Sequence, residues 1–74
     1  MHQIEARDFT FCSAWYPAKL THHDFLVMTP SKPEAQVRAL AYAVERWGQP
    51  EHVNVYPRKY VKDARRLFAL GRHD

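Results

Sequence analysis

Six cations crowd into residues 57–72: Arg58, Lys59, Lys62, Arg65, Arg66 and Arg72, opposed only by Asp63. That segment carries +5, so the remainder of a chain with net charge +3 sums to −2. Lys59, Lys62 and Arg66 recur at spacings of three and four and therefore share one helix face, with Arg58 and Arg65 flanking it. Such a row can neutralise phosphates, each contact adding salt-dependent affinity. It can equally pair with carboxylates on an acidic protein surface. Tyr56 and Tyr60 lie beside the row, where they could stack on unpaired bases. The alternative is a plain solvated face that uses Lys and Arg because they form helices well.

A second group is His22-His23-Asp24, with His52 further along. In a strand, His22 and Asp24 share a face while His23 faces away. Two ligands are too few for zinc, and a third would have to come from His52 on a neighbouring strand. A polar strand start at the end of a loop is the simpler expectation. Cys12 sits inside an expected strand, on the face opposite Phe9 and Phe11, with no base or activating motif beside it, so an inert buried thiol is expected. Glu5, Asp8, Glu34, Glu45, Glu51 and Asp63 are scattered and form no pair suited to general acid–base work. There is no Gly-rich phosphate loop, nucleophile elbow or zinc-finger spacing. No cofactor is called for.

The elements that must position these groups follow from periodicity. In residues 8–16, Phe9, Phe11, Ser13 and Trp15 alternate with Thr10, Cys12, Ala14 and Tyr16, the period of a strand. Residues 22–29 read as a second strand, forming an antiparallel hairpin with the first through a loop at 17–21. Pro30 then stops it. Ser31 with Glu34 forms the signature of a capping box, and a helix over 32–47 follows. Val37, Leu40, Ala41, Val44 and Trp47 mark its expected core stripe. Gly48 and Pro50 end it. Val53 and Val55 against His52, Asn54 and Tyr56 give a short half-buried strand. It can run parallel to the 22–29 strand through a crossover, or antiparallel at the other edge. A last helix spans about residues 58–70, with Tyr60, Val61, Ala64, Leu67 and Phe68 inward. The expected fold is α+β, one small domain over residues 1–74, ordered β-β-α-β-α with helices packed on a three-stranded sheet. His73 falls in an expected frayed tail.

At 74 residues the chain has room for one modest core and little material for a deep pocket, which favours a binding module over an enzyme. One cysteine excludes an internally disulfide-stapled miniprotein. The longest apolar run, residues 39–44, is far short of the roughly 20 residues a membrane span needs. The first residues lack a signal-peptide layout. A soluble, cytoplasmic protein with no membrane partner is therefore expected; a bacterial host cell enters only with the resemblance given below. If the helices pack on one sheet face only, Trp15 or Tyr16 is left exposed; the simpler expectation is that both cover the rim of the core.

At residues 44–55 the helix ends in Trp47-Gly48-x-Pro50 and enters a Val-rich strand. This junction resembles the one in small type I anti-CRISPR proteins of phages and mobile elements, over about a dozen of the 74 residues. The resemblance implies an inhibitor that occludes a bacterial CRISPR–Cas effector complex without catalysis. Many such inhibitors that block DNA access are acidic, and this chain departs from that pattern. The expected function is thus a non-enzymatic inhibitor docking on a host protein complex through Arg58, Lys59, Lys62, Arg65 and Arg66, with Tyr56 and Tyr60 at the edge. A small nucleic-acid-binding protein using the same helix is the alternative. An enzyme built on His22, Asp24 and His52 is the third.

Overall fold

The computed structural model describes residues 5–56 and 61–74. Their order is β1 (Thr10–Tyr16), β2 (Thr21–Val27), α1 (Lys32–Trp47), β3 (His52–Tyr56) and α2 (Val61–Ala69), with short 3-10 turns at Ala6–Asp8 and Pro17–Lys19. This is the expected α+β arrangement, β-β-α-β-α.

The sheet runs β2-β1-β3, and β1 is antiparallel to both neighbours. β2 and β3 therefore point the same way, as a crossover through α1 requires, but β1 lies between them. The direct parallel pairing is not formed. β1 has the most buried strand surface and takes the centre. The free edge of β2 is met instead by the tail. Leu26 N–H donates to Arg72 O at 2.9 Å, and Asp74 N–H donates back to Leu26 O at 3.1 Å. The Asp74 carboxylate accepts from Met28 N–H at 2.8 Å and from Arg38 Nε at 2.6 Å. His73 stacks on Phe68, ring centroids 4.6 Å apart. The expected fraying of the tail is thus corrected: backbone bonds and an ion pair hold it along the sheet edge, covering groups that would otherwise be open to edge pairing.

The helices lie on opposite sheet faces. α1 packs on Cys12, Ala14, Tyr16, Phe25, Val27 and Val53; α2 packs on Phe9, Phe11 and Leu26 through Ala64 and Leu67. The predicted stripe of α1 is also corrected. Its buried residues are Ala35, Ala39 and Ala43, with Tyr42 and Trp47 partly buried beside them. Val37 is 70% exposed, Leu40 and Val44 each 42%, and Ala41 is exposed. The sheet face already supplies Phe25, Tyr16 and Val27, so the helix contributes small side chains and the bulky ones turn outward.

Local signals hold at both ends of α1. Ser31 Oγ accepts from Glu34 N–H at 3.4 Å, but the reciprocal half of the box is absent, since Glu34 pairs with Arg38 at 3.4 Å. Gly48 terminates the helix at φ +88°, a conformation side chains disfavour, and its N–H donates to Val44 O. The Tyr16 hydroxyl donates to Gly48 O at 2.7 Å, tying that end to β1. No helix among the described residues is long and apolar enough to cross a membrane.

Candidate docking surface and the open sheet face

α2 commits one side to the core. Ala64 and Leu67 are buried, and Val61 and Phe68 are half-buried against the same cluster. The helical repeat then sends Lys62, Arg65 and Arg66 outward, and all three are exposed. None of them forms an ion pair among the described residues. Arg58, Lys59 and Tyr60, the remainder of the predicted row, lie outside the described residues. Tyr56 is half-buried and meets Phe11 edge-on, with ring centroids 5.8 Å apart. It belongs largely to the floor beneath α2, so its ring is less open for base stacking than the sequence suggests.

α2 covers only one end of its sheet face. The other end is a groove of about 510 Å³. Cross-strand register arranges it in rows. Asp24, Ser13 and Asn54 stand side by side, and so do His22, Trp15 and His52. Asp63 of α2 also lines the groove. The pairing of His22 with Asp24 on one face is as expected; His22 Nε2 lies 3.7 Å from Asp24 Oδ1, too far for a hydrogen bond. Trp15 separates His22 from His52, whose backbones are two strand spacings apart, about 10 Å. The three therefore do not converge, and no metal-holding group of three occurs among the described residues.

His23 faces the opposite way and stacks flat on Trp47, with centroids 4.3 Å apart and planes 5° apart. Burial, then the nearby Arg72 and other positive neighbours, lower its pKa. Cys12 is fully buried, and burial, followed by the Asp74 charge, pushes its thiol up to about 12. It is the inert thiol expected. Tyr16 is buried and Trp15 is half-buried on the groove face.

Two surfaces escaped the sequence. One is the outward apolar row of α1; its signal was alanine at every fourth position, 35, 39 and 43, marking the opposite side as core. The other is the groove, whose six polar and aromatic residues recur at period two in three separate strands and meet only through register.

No protein-family model matches the chain, and no curated protein or solved structure was found to match it significantly.

Proposed function

We propose that this protein acts by binding, and that it docks on a partner protein through the outward face of α2. Lys62, Arg65 and Arg66 meet carboxylates of the partner, with Arg58 and Lys59 extending the row in sequence. The observation that carries this is the state of the three described cations: all exposed, none ion-paired among the described residues, on a helix whose other side is spent on the core. Charge pairs that lose water at an interface give orientation and specificity. One observation favours protein over nucleic acid as the partner: the groove beside α2 carries Asp24 and Asp63, which repel phosphate. The specific form, carried by the Trp47-Gly48-x-Pro50 resemblance, is an inhibitor of a bacterial CRISPR–Cas effector complex in its host cell.

The test is a pull-down from bacterial lysate with the wild-type protein and a Lys62→Glu/Arg66→Glu variant, each with and without nuclease. A defined protein complex that survives nuclease and is lost with the variant is the expected result. Nucleic acid alone, removed by nuclease or moderate salt, overturns the proposal in favour of direct nucleic-acid binding.

A further inference from the structure

We infer that the open end of the sheet is a binding site for an arginine side chain presented by a protein partner. The site is separate from the outward row of α2 and stands on different observations. Trp15 is half-buried on the middle strand of the groove, and its ring has no aromatic partner among the described residues, whereas Trp47 is stacked on His23. A guanidinium is planar and weakly hydrated, and it stacks on an indole face within about 6 Å of the ring centroid. Asp24 stands diagonally from Trp15 across β1 and β2, at about 7–8 Å, within reach of a group lying over the indole. Its carboxylate makes no hydrogen bond among the described residues, so it can accept two guanidinium N–H groups side by side.

Ser13 adds an acceptor. It lines the groove and makes no side-chain hydrogen bond among the described residues, and its hydroxyl keeps access to solvent, so it is open to a donor from a ligand lying there. Asn54, its neighbour on β3, offers a further amide oxygen. Charge selects the ligand class. The groove's described lining holds two carboxylates, Asp24 and Asp63, and no Lys or Arg, although the chain as a whole is basic. Asp24 and Asp63 are the charged groups of that described lining, and each can pair with a cation. His22 and His52 flank Trp15 on either side and bound a slot for a flat group. The volume of about 510 Å³ is that of a small-ligand site, ample for one side chain.

The experiment is an NMR titration of the full chain with the capped peptide acetyl-Gly-Arg-Gly-amide, following the two tryptophan indole N–H signals. The expected result is a saturable shift of the Trp15 signal with Trp47 unmoved. The neutral citrulline analogue, which keeps the planar shape, is expected to bind at least tenfold more weakly. Asp24→Asn is expected to weaken the arginine peptide about tenfold, the loss of a charge-assisted pair. An unchanged Trp47 signal certifies the fold of that variant, and the citrulline comparison uses wild-type protein only. No Trp15 response up to tens of millimolar peptide, an equal response to citrulline, or a Trp15 response to oligothymidylate instead of the arginine peptide overturns the assignment. None of these outcomes depends on the α2 row, so the two proposals fail separately.

Discussion

Exchanging the roles of Ala39 and Leu40 discriminates sharply between two orientations of α1. Ala39 is fully buried in the cluster that holds Phe25 and Val27. Ala39→Leu adds three carbons where none fit, and overpacking of that kind costs about 1–3 kcal/mol. Leu40 is 42% exposed, and part of its cover comes from its own helical turn. Burying a leucine completely is worth about 1.5–3 kcal/mol, so Leu40→Ala, which also gains helix propensity, costs less than about 1 kcal/mol. The orientation read from the large residues alone reverses both values: Leu40→Ala would cost about 2–5 kcal/mol and Ala39→Leu close to nothing. Urea unfolding followed by far-ultraviolet circular dichroism measures both, at two protein concentrations to exclude a contribution from self-association. A Leu40→Ala loss above about 2 kcal/mol with a neutral Ala39→Leu refutes the packing described here.

Cys12, buried and with its thiol pushed up to about 12, is expected to resist thiol-specific reagents in the native protein and to react fully in denaturant; native labelling at the rate of a free thiol contradicts its position. His23 has a lowered folded pKa, so as pH falls through the ordinary imidazole value of 6.5 the unfolded chain takes up the proton first and the native state loses stability. His23→Phe keeps a ring against Trp47 and removes that component. Its stability should therefore fall less between about pH 7 and about pH 5 than that of the wild type, and equal falls would contradict the assignment. Lys62→Glu/Arg66→Glu touches only exposed side chains and should leave stability within about 0.5 kcal/mol of wild type, as read by urea unfolding.

The element order was legible because each boundary has a local cause: Ser31 at the head of α1, Gly48 at its end, and aromatic alternation through β1. The side of α1 that meets the sheet was not. It depends on how much volume the sheet brings to the interface, and Phe25, Tyr16 and Val27 fill it before α1 arrives. The place of β3 was equally closed to local inspection, since Val53 and Val55 suit either edge. In the fold the tail bridges β2 at Leu26, and β3 pairs along β1 instead. For the site, exposure of Lys62, Arg65 and Arg66 followed directly from the period of Ala64, Leu67 and Phe68. The groove did not, because Asp24, Ser13 and Asn54 become neighbours only through a register fixed by the turn at Pro17–Lys19 and by Leu20, held at φ +50°. That positive φ on a leucine carries no turn signature in the sequence.

The central claim is that α2 is the docking element and that its partner is a protein. A photo-crosslinking residue placed at Arg65, in cells that contain the partner, tests this most directly, with the same residue at Ala18 in the β1–β2 turn as control; both positions are exposed. The account predicts one crosslinked protein band from position 65, resistant to nuclease and absent from position 18. Crosslinks from position 65 to nucleic acid alone, or the same band from both positions, would contradict it.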